Sequence, residues 1–498
     1  MPLVVDPATL MALQLAPFDF LAHTHWRLIV NAIFLKVEKS FFNVEVPLAG
    51  NTLLIYNSIS KELIKLAEDD TLKYIENNFT DIYYPTWMLM SSRKMLCSNS
   101  NKQYKSLVQL DYKSKKLNNE HMSLTLMMSE ACNFSCSYCN QGQNKDHVKI
   151  SNETINYVND YIKGTSELKK LIISWYGGEP LLAFNEILEF SNMINDVCKS
   201  CGVEYSASII TNGFLLTNHR AKELYKVGIH NAQVTIDGSK TFHDRTRYAN
   251  EQMGSYDIIM KNITDVLNDT EMWVCLRVNV NNDNLDGMDM FISDLSNRGF
   301  ANKKLSVYFS LIYDPTASLL PDAVDVDASL MKDYKTYAEK ELDLLKLLDK
   351  HSINVALDID EHEGDCLLTR SNSIAIDPKG NLFKCYIPIS NDEFSVGTVE
   401  NIRGMKANKI YSAWDSWSPF TQDGCKTCKL LGSCRGGCPL HFVSKSHQNL
   451  GYKCPTSKLM FNEHLFRKAY NKGLLDLSDW DESRSPTKLE SLIFEQCQ

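Results

Sequence analysis

Ser123-Leu-Thr-Leu-Met-Met128-Ser-Glu-Ala-Cys132-Asn-Phe-Ser-Cys136-Ser-Tyr-Cys139 is the stretch that decides the fold. Six apolar or hydroxyl residues read as a short strand, and a loop carrying Cys-x3-Cys-x2-Cys leaves its end. Downstream, apolar β-rich runs at residues 123–128, 171–176, 205–211, 232–236, 272–280 and 305–311 alternate with helical patterns. The helical patterns fall at 152–163, 185–199, 217–227, 256–268 and 285–298. Strand–helix alternation at that interval predicts βαβ units and a parallel sheet covered by helices. Six units suit a partial barrel, in which ligands lie at the carboxyl ends of strands. The cysteine loop follows the first strand, where such a site belongs.

The 498 residues are 44% apolar and 23% charged with net charge −9, the composition of a globular chain of several domains. A mildly acidic chain without a dominant basic run argues against nucleic acid as a partner. The longest early apolar run, residues 28–35, falls far short of the roughly 20 residues of a spanning helix, so no membrane role is expected. The first seven residues carry Asp6 and no Lys or Arg, unlike a secretory signal, and a cytoplasmic protein is expected.

The 15 cysteines cluster. Besides Cys132, Cys136 and Cys139, the last third holds Cys366, Cys385, Cys425, Cys428, Cys434, Cys438 and Cys454. Closely spaced thiolates are what zinc and iron–sulfur sites require, because short loops limit the entropy of bringing ligands together. Three cysteines under a cubane leave one iron open to a ligand. A zinc knuckle with a distant fourth ligand is the other reading of that spacing. Cys198 and Cys201, at the end of a helical pattern, are expected to pack or stay free. Cys275, within an apolar stretch, is expected to be a core thiol. Cys97 and Cys497 have no spacing partners.

Residues 1–120 have a different texture. A strand is expected at 51–56, short helices at 60–67 and 72–78, and a loop or hairpin at 91–117. Arg93, Lys94, Lys102, Lys105, Lys113, Lys115 and Lys116 against Asp111 give this last segment a local excess of six positive charges. It is either a solvated face or a contact surface for an acidic peptide. A helical linker is expected at 333–350 and a terminal helix at 461–475. The domain organisation is then 1–120 N-terminal region, 121–330 barrel, 331–357 linker, 358–460 cysteine-rich domain and 461–498 helix and tail.

Cys132-Asn-Phe-Ser-Cys136-Ser-Tyr-Cys139 resembles the signature of the radical S-adenosylmethionine (SAM) enzymes, in which three cysteines hold a [4Fe–4S] cluster whose open iron is chelated by SAM. Gly177-Gly178-Glu179-Pro180 resembles the glycine-rich segment that meets the methionine amino group. Thr211-Asn212-Gly213 closes the third strand. Thr235-Ile236-Asp237-Gly238, with His243, Asp244 and Arg247, resembles the stretch that contacts the ribose and carboxylate. The seven late cysteines resemble the SPASM extension of peptide maturases, and the resemblance covers roughly residues 123–460.

The resemblance implies a partial (β/α)6 TIM-like barrel that generates a 5′-deoxyadenosyl radical. It places Cys132, Cys136 and Cys139 on the SAM-binding cluster, and makes Tyr138, Gly177, Gly178, Glu179, Thr235 and Arg247 SAM contacts. Tyr138 would pack on the adenine, Glu179 accept from the ammonium, and Arg247 donate to the carboxylate. Of two auxiliary [4Fe–4S] clusters, one would take Cys366, Cys385 and Cys438, and the other Cys425, Cys428, Cys434 and Cys454. The first lacks a fourth cysteine, since residues 358–365 contain none.

The implied reaction is cross-linking within a ribosomally made precursor peptide whose leader meets a small N-terminal α+β recognition module, with flavodoxin or ferredoxin as reductant. The alternative is an anaerobic sulfatase-maturating enzyme. That group typically carries an aspartate directly after the cysteine equivalent to Cys385, and Tyr386 stands there. A zinc-binding scaffold without catalysis is the reading from another class.

Overall fold

The structure is a computed structural model that describes residues 37–97, 101–139, 147–249, 253–312, 334–356, 366–440 and 454–479. Its sheet contains six parallel strands, β1 (His121–Met127), β2 (Lys170–Tyr176), β3 (Glu204–Thr211), β4 (Ile229–Ile236), β5 (Trp273–Val280) and β6 (Leu305–Leu311). They lie side by side in sequence order. The crossovers carry α1 (Asn152–Lys163), α2 (Phe184–Cys201), α3 (Asn218–Lys226), α4 (Tyr256–Asp269) and α5 (Met288–Asn297). Successive parallel neighbours joined by crossovers of one hand place every helix on the same face and curve the sheet towards a barrel. This is the α/β architecture expected from the alternation.

Burial alternates along the strands as the pleat requires. Leu171, Ile173 and Trp175 of β2, Ala232, Val234 and Ile236 of β4, and Val274, Leu276 and Val278 of β5 are buried in the core under the helices. Each such branched or aromatic side chain contributes about 1.5–3 kcal/mol on burial. The helices answer with apolar stripes: α1 buries Ile155, Val158 and Ile162, and its N-cap Ser151 accepts from the Thr154 amide at 3.1 Å. Cys275, by contrast, lies half-buried on the opposite face of β5, so it is no core thiol: it is out of phase with the apolar set. Cys198 is buried in α2 and Cys201 exposed at its end, and burial pushes the Cys198 thiol up to about 12. Cys497 and residues 358–365 lie outside the described residues.

After β6 come α6 (Tyr334–Lys350) and a short parallel strand Asn354–Val355 beside β6. At the other edge, β7 (Ile374–Ile376) pairs parallel with β1, and β8 (Asn381–Phe383) and β9 (Ser395–Thr398) add on antiparallel. The β7–β8 turn is held by Asp377, which accepts from the amides of Lys379 at 2.9 Å and Asn381 at 2.8 Å, with Gly380 at φ +85°. The cysteine-rich region therefore continues the barrel sheet. No helix of the described residues is long and apolar enough to cross a membrane.

The chain divides into two compact units, one of residues Met1–Val108 with Lys468–Pro486 and the other of Gln109–Arg467 with Thr487–Gln498. The first contains an antiparallel meander (Asn43–Pro47, Leu53–Asn57, Glu62–Leu66) and helices Glu68–Ile75 and Tyr84–Ser92 around Ile55, Ile64, Leu66, Tyr74, Trp87 and Met90. The helix expected at 60–67 is thus a strand. The turn before it is set by Asn57, whose side chain accepts from the amides of Ile59 and Ser60 at 3.1 Å each.

The segment expected as loop or hairpin at 91–117 ends in a helix, Asn101–Leu117. It contains no glycine or proline, and its exposed Leu107, Leu110 and Leu117 hide the amphipathic signal. Its cations do not act as one patch. Lys113 and Lys115 are exposed, whereas Lys116 is buried, pairs with Asp415 at 3.6 Å and donates to the carbonyls of Asp415 and Trp417. Lys116→Met should cost about 2 kcal/mol, because it strands those acceptors. Lys113→Met should cost under about 0.5 kcal/mol. Denaturant melts of the two variants check the contrast.

Candidate active site

The loop that leaves β1 carries Cys132, Cys136 and Cys139, and the three thiols lie near enough to act on one another electrostatically. Cys136 is buried, which pushes its thiol above the ordinary value, while the Arg247 guanidinium pulls it back towards the thiolate. Among the described residues no three Cys, His, Asp or Glu converge on the volume of a single ion. A cubane is larger and takes its thiolates at separate corners.

The glycine pair that follows β2 is explained by this loop. A Cβ on Gly178 would sit 2.2 Å from the Glu130 carbonyl oxygen and 2.4 Å from that of Ala131. One on Gly177, at φ +144°, would meet the Ser129 oxygen at 2.5 Å. The amides of Gly178 and Glu179 donate to Ser129 and Ala131, both at 2.9 Å. The glycines therefore admit the cysteine loop itself.

Glu179 is buried. Its carboxylate accepts from the Leu181 amide at 2.9 Å, the Asn212 amide at 2.8 Å and the Thr211 hydroxyl at 2.8 and 2.9 Å. Burial raises its pKa against the pull of those donors. It braces the end of β2 to the end of β3, and these bonds leave little of a carboxylate's acceptor capacity for a further donor. Asn212 in turn donates to Asn133 in the cysteine loop at 2.8 Å.

Tyr138 hydrogen-bonds Asp237 at 2.7 and 2.5 Å and accepts from Asn279 at 3.0 Å and Arg247 at 3.1 Å. This ties the phenol to the end of β4, a network that the sequence did not announce. Burial holds both Tyr138 and Asp237 above their ordinary values. Thr235 lies half-buried on the same strand, two residues earlier. Arg247 is buried, and its Nε has no acceptor among the described residues. An orphaned guanidinium N–H beside the Cys136 thiol fits an anionic or electron-rich group.

His243 accepts from the Asp237 amide at 3.2 Å and bonds Ser255 at 2.9 Å, and burial drives its pKa down to about 3, so the ring is neutral. Asp244 accepts from the Ser255 and Tyr256 amides. Both residues order the loop.

The late cysteines form two groups. Cys385 is close to Cys366 and Cys438, and Cys425 to Cys434, Cys454 and Cys428. Burial pushes the Cys425 thiol up to about 12. Buried Lys458 reaches the second group, its Nζ 3.7 Å from Cys428 Sγ and 3.8 Å from Cys454 Sγ, a cation that favours thiolates.

Comparison with known proteins agrees with this geometry. Residues 126–268 match the family described as the Radical SAM superfamily. The radical SAM cyclopropyl synthase TigE of Paramaledivibacter caminithermalis is 23% identical over 380 residues, covering 70% of this chain and 74% of that protein. A cysteine-type anaerobic sulfatase-maturating enzyme of Clostridium novyi is 23% identical over 378 residues, 70% of this chain and 97% of that enzyme. The solved structure of native anSMEcpe with bound AdoMet superposes with a TM-score of 0.55 at 17% identity, over 70% of this chain and 97% of the other. A domain of this kind implies a [4Fe–4S] cluster and SAM, and the three cysteines of one loop, with an Arg247 Nε that has no acceptor among the described residues, suit them. Residues 126–268 are a radical SAM domain, and the protein that carries it is an enzyme of radical chemistry.

Proposed function

We propose that the protein is a maturase that forms a cross-link within a ribosomally made peptide. The observation that carries the reading is the thiol trio at the carboxyl end of β1, its Cys136 beside Arg247, whose Nε has no acceptor among the described residues. Cys132, Cys136 and Cys139 would hold the SAM-binding cluster, and Cys366, Cys385 and Cys438, with Cys425, Cys428, Cys434 and Cys454, two auxiliary ones. Together the first cluster and SAM supply a carbon radical that abstracts hydrogen from substrate.

The chain's own residues do the rest. Arg247 fixes the negative end of SAM and favours the thiolate of Cys136. Glu179 and Asn212 hold the strand ends against the cysteine loop, and Tyr138 with Asp237 and Thr235 forms the wall beside the nucleoside. A peptide substrate is supported by a fold neighbour solved with AdoMet and a peptide named Kp18Cys, and carbon–carbon bond formation by a relative that is a cyclopropyl synthase. The meander and helices of the first unit suit a leader-recognition role, and flavodoxin or ferredoxin would supply the electron.

The sulfatase-maturase reading is favoured by the Clostridium novyi relative, which matches over 97% of its length. Against it, Tyr386 follows Cys385 and packs edge-on against Tyr176 at 5.8 Å, where that group uses an acid. Anaerobic co-expression with a short open reading frame from the same locus, read by mass spectrometry, separates the two. Loss of two hydrogens with fragments that stay joined supports a cross-link. An aldehyde that reacts with hydrazides, formed on a Ser- or Cys-containing sulfatase peptide, overturns it.

A further inference from the structure

The face of the sheet turned away from the helices is not an apolar barrel core. The half-buried residues that alternate with the buried set include Ser174 on β2, Ser208 on β3, Gln233 and Thr235 on β4, Arg277 on β5 and Ser310 on β6, beside Ile172, Ile210, Cys275 and Tyr308. A packed barrel fills these positions with branched aliphatics. This one sets hydroxyls, an amide and the Arg277 guanidinium among a few apolar side chains.

Arg277 sits in register between Thr235 of β4 and Tyr308 of β6. Its Nε donates to Asn279 at 3.1 Å and its Nη2 to Ser310 at 3.1 Å, both neutral partners. The phenols of Tyr308, Tyr386, Tyr176 and Tyr138 face it closely enough to act on its charge. Among the described residues no carboxylate pairs with it. A guanidinium partly withdrawn from water without a counter-ion is penalised, and two neutral hydrogen bonds only partly offset that.

We propose that Arg277 is the specificity residue for a substrate carboxylate, which it takes in the bidentate manner of guanidinium–carboxylate pairs, with the Tyr176 and Tyr386 rings as walls. The inference rests on the reading of this barrel as a substrate-binding active site. The carboxylate is either an Asp or Glu side chain beside the reacting residue or a peptide C-terminus. SAM's own carboxylate is assigned to Arg247, in the preceding segment between β4 and α4.

The test is binding, on the full chain with clusters reconstituted and SAM bound. Three probes are titrated: N-acetyl-glutamate amide, with only a side-chain carboxylate; N-acetyl-glycylglycine, with only a terminal one; and N-acetyl-glutamine amide, with neither. One carboxylate probe should bind at least about tenfold more tightly than the neutral probe, the size of one charge-assisted contact. Arg277→Met should erase the difference and Arg277→Lys restore part of it. The probe preferred names the source of the carboxylate. Equal affinity for all three probes, absence of binding by both carboxylate probes at millimolar concentration, an Arg277→Met variant that still discriminates, or displacement of SAM by the probes each overturns the assignment. The readout does not depend on turnover, so failure of the radical reading, seen as loss of SAM cleavage, is a separate result.

Discussion

Replacing Cys132, Cys136 or Cys139 with alanine is expected to reduce the 5′-deoxyadenosine formed from SAM to background, while iron held by the late cysteines remains. The reason is positional. All three thiols leave β1 on one loop, and Cys385 and Cys425 sit in separate groups with their own neighbours. Removing one of three ligands leaves a second iron open, and the remaining thiols cannot compensate because none of the late cysteines lies in this group. Cys136→Ala should be the most severe. Cys136 is buried and sits beside Arg247, so its loss also removes one of the anionic neighbours of a buried cation. Chromatography of the reduced, reconstituted variants measures the nucleoside, and iron and sulfide assays count what is retained. Undiminished SAM cleavage by any of the three removes this loop from the chemistry.

Gly178→Ala is expected to be nearly as damaging without touching a reactive group. The added methyl would meet two backbone oxygens at 2.2 and 2.4 Å, and backbone cannot swing aside as the end of a side chain can. Overpacking of that kind costs on the order of 3 kcal/mol. The strain falls on Glu130 and Ala131, directly before Cys132, so the cysteine loop moves. A displacement of about 1 Å in a reacting geometry lowers rates on the order of a hundredfold. Gly202→Ala is the control. Its φ is +70° but nothing lies within 4 Å of the added carbon, so it should cost about 1 kcal/mol and spare SAM cleavage. Equal activity in both variants would mean that the loop tolerates the shift.

The barrel was legible because its two periods are clean. Residues 152–163 gave the helix α1 at its observed bounds, since Ile155, Val158 and Ile162 repeat at helical spacing between a serine cap and Gly164. The first unit was harder to read. Residues 62–66 contain Leu63, Ile64 and Leu66, an apolar set that fits a short strand and a helix equally, and only the antiparallel partner Leu53–Asn57 decides between them. The helix Asn101–Leu117 carries exposed leucines and a buried lysine, the reverse of the usual pattern.

The β7–β8 hairpin was legible and overlooked. Ile374-Ala-Ile-Asp-Pro-Lys-Gly-Asn-Leu-Phe383 reads as two apolar runs around a turn. At the site, cysteine spacing revealed which thiols could meet. The bracing by Glu179 and the Tyr138–Asp237–Arg247 network arise from strands that are distant in the chain, which spacing cannot report. Nothing in the sequence around Arg277 points to a role, and its register neighbours alone give it one.

β7 is bonded to β1 residue by residue, from Ile374 against Leu124 to Ile376 against Leu126. The loop bearing Cys132 and the segment bearing Cys385 are thus suspended from one ladder, and no flexible tether sets their separation. Heating should therefore unseat both segments in one cooperative step, and any iron they hold should leave together.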